Sequence, residues 1–247
     1  MSRNFDILQR VEGNPGTFRP PPAARPSTNG HSKAHERNSL VDDEIMKLVQ
    51  RVFILPEAGK GPGAVAFCSV DAGDGCSWVC AHAAEMLADH GGGSVCLVDA
   101  NLRSPSLHDY FKFENGPGFA DAVKDSRPIR DYARLASGSN LWLITAGTVG
   151  KEPNGSINPA RLRARISELR GDFDHLLMDT PPIHTYADAM LLGQMTDGVI
   201  LVVGSNSTRR EPARIAKQSF EGAKITMLGA VLNKRTFPIP EGLYRKL

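Results

Sequence analysis

The chain has 247 residues, 41% of them hydrophobic and 23% charged, which is enough for one substantial domain with a closed core and too little for two large ones. Lys and Arg number 29 against 27 Asp and Glu, a formal charge of +2, so no bulk electrostatic footprint points to nucleic acid or to an anionic membrane. The four cysteines, Cys68, Cys76, Cys80 and Cys96, lie inside apolar segments with no CxxC pair, the pattern of reduced thiols in a cytoplasmic protein.

Taken in chain order, Met1 to Arg10 carries charges through its apolar positions and lacks the apolar stretch of a secretory signal. The longest apolar runs, such as Val199 to Gly204, fall far short of the roughly 20 residues a membrane helix needs. Phe5, Ile7, Leu8 and Val11 form one face of a short helix, and the stretch that follows, to residue 39, is rich in Pro, Gly, Ser and Asn without apolar periodicity. Residues 1–39 are therefore expected to be a disordered tail joined to a domain over residues 40–247, its apolar cluster being either a short docking peptide for another component or a segment that packs onto its own domain or is inert.

Within the domain, Ile45, Leu48, Val49, Val52 and Phe53 recur at helical spacing behind the acids Asp42, Asp43 and Glu44, which suit a helix N-terminus. Apolar strands then alternate with helices. Strands are predicted at Ala64–Val70, Ser94–Asp99, Leu141–Ala146, His175–Asp179, Val199–Gly204 and Ile225–Leu232. Helices are predicted at Ser77–His90, Phe119–Lys124, Ala160–Arg170, Tyr186–Met195 and Arg209–Gly222. Alternation of this kind, with strands apolar on consecutive residues, describes a doubly wound α/β fold around a mostly parallel sheet buried on both faces. Ligands of such folds bind beyond the carboxyl ends of the strands.

Three strand ends carry chemistry. The first runs into Asp71-Ala-Gly-Asp-Gly-Cys-Ser77 and then a helix; Gly73 and Gly75 permit the tight turn, and the helix N-terminus adds amides and a positive dipole end, so the segment is a phosphate cradle by design. A P-loop of this kind ordinarily ends Gly-Lys-Ser/Thr, whereas here Gly75-Cys76-Ser77 keeps the hydroxyl and lacks the lysine. The second strand ends at Asp99, followed by Asn101 and Arg103, and the fourth ends at Asp179. Two strand-end carboxylates beside a serine hydroxyl suit Mg²⁺, although an Asp at a strand end is also a common turn residue.

The ordered set of SVDAGDGCS, CLVDANLRSPSLHDYF, LLMDTPP and GAVLNKR resembles the bacterial tyrosine kinases (BY-kinases) of capsule and exopolysaccharide assembly, members of the deviant-Walker P-loop group with the Min and Par ATPases. The resemblance covers roughly residues 40–247. It implies a P-loop NTPase-like fold binding ATP or ADP with Mg²⁺, with Gly73, Asp74, Gly75, Cys76 and Ser77 around the phosphates and Trp78 and Asn233 toward the nucleotide. It further implies Ser77, Asp99 and Asp179 at the metal, Asp99 as base for a tyrosine hydroxyl and Arg103 as an electrostatic helper. The implied partners are a membrane polysaccharide co-polymerase or adaptor in trans and further copies of the chain, with the protein peripheral to the inner face of the membrane.

Four departures bear on activity: Cys76 for the lysine, Asn101 for a second Asp, a tail with one tyrosine, Tyr244, and an oligomerisation motif met only in part by Glu44, Lys47, Gln50 and Arg51. A regulator of exopolysaccharide assembly weakened or inactive as an autokinase is the leading expectation. The alternatives are an active kinase with Lys60 or Arg103 as substitute cation, a partition-type ATPase, and a binding domain without nucleotide. Cys76, at a helix N-terminus, reads either as a reactive thiolate or as a small neutral filler, and Trp78 either as a lid on the nucleotide or as a packing aromatic.

Overall fold

A computed structural model of the chain describes residues 5–6, 41–55, 61–137, 140–148, 158–205 and 207–235. Lys60, Tyr244 and all of the tail but Phe5 and Asp6 lie outside them. The strands are β1 (Phe5–Asp6), β2 (Ala64–Ser69), β3 (Val95–Asp99), β4 (Arg134–Ser137), β5 (Leu141–Ile144), β6 (His175–Asp179), β7 (Gly198–Gly204) and β8 (Met227–Asn233). They form one sheet in the order β1-β8-β7-β2-β6-β3-β5-β4, parallel throughout except for β4, which runs antiparallel to β5.

Helices cover both faces. The helix over 41–49, α1, passes through a π-turn at Gln50–Ile54. It is followed by α2 (Cys76–His90), α3 (Leu107–Tyr110), α4 (Phe119–Lys124), a 3₁₀ turn (Ile129–Tyr132), α5 (Pro159–Asp172), α6 (Asp188–Gly193) and α7 (Arg210–Gly222). Side chains alternate across each strand, so Val65, Phe67, Val95, Leu97, Leu177, Ile200 and Val202 pack with α1 and α2 on one face. Their neighbours Ala64, Cys96, Val98, Leu176 and Met178 meet α4 and α5 on the other, while Ala66, Cys68, Val199 and Leu201 meet α6 and α7 there. The burial is complete: every residue of β2 and β3 is buried, which is why those strands are apolar on consecutive positions.

The six predicted strands and the five predicted helices all form, with ends displaced by a few residues at most. β4 and α3 were not foreseen. β4 is a short edge strand with Leu135 48% exposed, so it carries no apolar run. In the tail, Phe5–Asp6 pairs in parallel with Val231 and Leu232 of β8, an extended conformation where a helix was expected. Strand pairing of this kind depends on a partner more than 220 residues away and leaves no helical period to read. Among the described residues no helix is long and apolar enough to cross a membrane.

Candidate functional site

The sheet order sets the site. β2 lies between β7 and β6, so the loop after it is flanked by the ends of β7 and β8 on one side and of β6 and β3 on the other. In this loop Gly73 and Gly75 both have φ of 87°, left-handed values that a residue with a Cβ adopts only under strain. Gly75 is also the residue preceding α2, and a Cβ there would collide with Asn233 Nδ2. Position 75 is thus glycine for two independent reasons.

Asp74 fastens the loop. Its carboxylate is 1% exposed and accepts hydrogen bonds from the Asp71 amide at 3.1 Å, Ser207 Oγ at 2.9 Å and Thr208 Oγ1 at 2.9 and 3.0 Å. Asn233, fully buried at the end of β8, donates from Nδ2 to the Asp74 carbonyl at 2.8 Å and accepts the Lys234 amide at Oδ1, 2.9 Å. Both residues were predicted as nucleotide contacts. In the structure their side chains hold the loop against the ends of β7 and β8.

Across the loop stand the carboxylates. Asp99 and Asp179 are register partners on adjacent strands and are both fully buried. Asp99 Oδ2 accepts the amides of Ser106 and Leu107, each at 3.1 Å, and Asp179 Oδ2 accepts Ser77 Oγ at 2.5 Å. Asp99 Oδ1 and Asp179 Oδ1 are buried without a hydrogen-bond partner among the described residues. Burial pushes the Asp99 carboxyl up to about 6 against the backbone donors that favour its anion. Asp179 is pushed up to about 7, by burial first and by the charge of Asp99 second. Two such carboxylates with open lone pairs, joined to a hydroxyl, are a hard-oxygen donor set that a divalent cation fits, with the other ligands coming from water and phosphate.

Cys76 does not face the cradle as a charged group. It is 7% exposed in the core cluster under α2, and its thiol is raised well above the ordinary range by burial first, then by Asp179 and the neighbouring Cys80 and Cys68. Burial favours the neutral-filler reading of Cys76. A cation that the sequence did not single out lies on the loop: Lys234 Nζ donates to the Gly73 carbonyl at 2.6 Å. A lysine directly after a strand end two strands from the loop was the available signal.

The side chains around the loop have partners of their own. Arg103 donates from Nε to Asp188 Oδ2 at 3.3 Å and lies over the Tyr186 ring, 4.9 Å from its centroid, on the α6 side. Trp78 stacks on His82 at 4.4 Å along α2, since residues four apart share a helix face. That contact is the packing that the sequence offers as one of two readings of Trp78. Asn101 Oδ1 accepts the Ser104 amide at 3.2 Å, closing the turn after β3. His184 Nδ1 lies 3.6 Å from Asp71 Oδ1, beside the loop.

No family model matches the chain. Among curated proteins it is 31% identical to the tyrosine-protein kinase YwqD of Bacillus subtilis over 161 residues, 65% of this chain and 68% of that one. The crystal structure of the chimerical protein CapA2B2 superposes with a TM-score of 0.69 at 22% identity, covering 85% of this chain and 88% of the other. The septum site-determining protein MinD of Pyrococcus horikoshii, complexed with Mg-ADP, superposes at 0.60 and 21% identity, covering 74% and 76%. These structures share the P-loop NTPase-like fold, and with the extent of the likeness to YwqD the chain belongs to the bacterial tyrosine kinase (BY-kinase) family of capsular exopolysaccharide proteins.

Proposed function

We propose that the protein is a Mg-nucleotide-binding regulator of exopolysaccharide or capsule biosynthesis, weakened or inactive as a tyrosine autokinase, that works with a membrane polysaccharide co-polymerase or adaptor in trans. The observation that carries the reading is the pair of buried oxygens, Asp99 Oδ1 and Asp179 Oδ1, that have no hydrogen-bond partner among the described residues and lie beside Ser77 and the glycine loop. Leaving buried polar atoms without partners costs a fold on the order of 1–3 kcal/mol each, so a fold that retains two at one place favours an occupant there.

When bound, Mg²⁺ neutralises phosphate charge. The chain's own contributions are separate: Ser77 and Asp179 hold the metal side, Asp99 is fixed by the Ser106 and Leu107 amides, and the 73–77 loop and α2 N-terminus present backbone donors to phosphate. Phosphoryl transfer is weakened because position 76 supplies no cation to stabilise charge on the terminal phosphate; one charge-assisted hydrogen bond is about 1.5–3 kcal/mol. The Arg103 guanidinium is engaged with Asp188 and Tyr186.

The test is a titration of the purified chain with fluorescently labelled ATP and ADP, with and without Mg²⁺. Saturable, Mg²⁺-dependent binding is expected. Absence of binding by either nucleotide under both conditions would refute the reading and favour a binding domain without nucleotide.

A further inference from the structure

We infer that Lys234 supplies from the end of β8 the cation that position 76 lacks, donating to the phosphates of a nucleotide in the 73–77 loop. The inference rests on the nucleotide binding proposed above and specifies which residue completes the site.

Its placement is built in. Lys234 Nζ is 2.6 Å from the Gly73 carbonyl, so the ammonium already sits on the loop. The residue before it, Asn233, is fully buried and clamped between the Asp74 carbonyl and the Lys234 amide, which fixes where the lysine leaves the strand. Lys234 itself has φ of 59°, a left-handed value uncommon for a residue with a Cβ. Backbone strain of this kind persists where the surroundings impose it, and here it turns the chain from the end of β8 back over the loop. The stem lies against the same place: a Cβ at position 75 would be in ordinary van der Waals contact with Lys234 Cε, at 3.7 Å, so the lysine's end runs alongside the loop.

The chemistry follows from the acceptor. A backbone carbonyl is a neutral acceptor, whereas a phosphate oxygen carries charge and forms a stronger bond with an ammonium. A lysine has three donors on a flexible four-carbon stem, so Nζ can pass from the Gly73 carbonyl to a phosphate oxygen without backbone movement. The alternatives among the described residues are placed less well: the thiol of Cys76 is neutral, and Arg103 is turned toward Asp188 and Tyr186. A cation arriving from another strand also explains how the loop keeps its conformation without a lysine inside it.

The experiment measures dissociation constants for fluorescently labelled ADP and ATP with Mg²⁺ on five proteins: wild type, K234M, K234R, C76K and C76K/K234M. K234M is expected to bind roughly tenfold more weakly or worse, with its nucleotide-free unfolding temperature unchanged. K234R should retain most of the affinity. In the C76K background, where a lysine stands in the loop, adding K234M should cost less than about threefold, because the two cations serve one purpose. Equal binding by wild type and K234M would overturn the role of Lys234 while leaving the nucleotide reading intact. Binding by C76K alone, with none by wild type, would likewise overturn it. Absence of binding in both removes the nucleotide reading and the lysine's role with it. Should K234M fail to fold, K234Q and K234R carry the comparison, and equal affinities for those two would reject the inference.

Discussion

Asp99 and Asp179 stand opposite each other in register at the ends of β3 and β6, and each keeps one buried oxygen without a hydrogen-bond partner among the described residues. Their carboxyls are raised from 3.8 to about 6 and about 7, so between those values and the unfolded one the folded chain binds more protons than the unfolded chain. The stabilisation is fully present below about pH 4 and is lost as pH rises through about 6 and 7.

Thermal unfolding measured from pH 5 to pH 8 without Mg²⁺ should therefore show stability falling with pH. Asp179→Asn should flatten that slope and raise the unfolding temperature at pH 8 by a few degrees, about the shift that 1 kcal/mol gives a domain of this size. Mg²⁺ with nucleotide should stabilise the wild type more at pH 8 than at pH 5, where protons compete for the same oxygens. A D179N profile as steep as that of the wild type would show that the carboxylate pair does not carry the effect.

The four thiols make a second case. Cys68, Cys76, Cys80 and Cys96 are all buried, and burial raises each of them, Cys68 to about 12. Since the thiolate is the reactive form, the native protein should resist iodoacetamide at pH 7.5 and take up label at four sites only after denaturation. Rapid, selective labelling of Cys76 in the native state would restore the reactive-thiolate reading.

Much of this site was legible because its parts are local. The apolar runs of β2, β3, β6 and β7 mark their own ends, and Asp99 and Asp179 are the last residues of two of them, so a strand prediction is also a site prediction. The roles of Asp74 and Asn233 were not legible. Each was assigned to nucleotide from its position in a motif, while its side chain is used by residues 133 and 159 positions away, a pairing that only the sheet order brings about. Lys234 was passed over for the same reason: its relation to Gly73 crosses the gap between β8 and β2 and has no sequence spacing. Phe5–Asp6 was read as part of a helix because its edge pairing to β8 is equally remote.

The loop fastening predicts a stability effect apart from any ligand. Gly75→Ala adds a Cβ against Asn233 Nδ2 at φ of 87°, so it should break the Asn233–Asp74 contact as well as strain the backbone. A cost on the order of 2–4 kcal/mol is expected in urea unfolding, from strain of about 1–3 kcal/mol and one lost hydrogen bond. Gly73→Ala meets nothing within 4 Å and should cost only the strain, so it serves as the control. Equal losses in the two variants would show that the Asn233 contact contributes nothing.

Autophosphorylation should be slight or absent, and the reason lies as much with the acceptors as with the missing lysine. The chain has four tyrosines. Tyr110 donates to Glu85 Oε2 at 2.8 Å and shares a hydrogen bond with His82, which holds its ring in a network joining α2 and α3. Tyr132 is 4% exposed, donates to Asp125 Oδ2 at 2.7 Å and accepts from Arg127 at 2.8 Å. Tyr186 lies under the Arg103 guanidinium. Phosphorylating any of the three requires breaking contacts of the folded domain, which leaves Tyr244 as the residue for a transferred phosphate. Asp99 has the buried position and raised carboxyl of a base, yet Asn101 is an uncharged amide used by the Ser104 amide, and the Arg103 guanidinium is paired with Asp188. Intact-mass measurement after incubation with Mg-ATP should show less than about one-tenth of the chain modified, and C76K should raise that fraction if transfer is limited by the missing cation. Stoichiometric phosphate on Tyr244 in the wild type, abolished by Asp99→Ala, would instead establish an active kinase in which Lys234 or another cation suffices for catalysis.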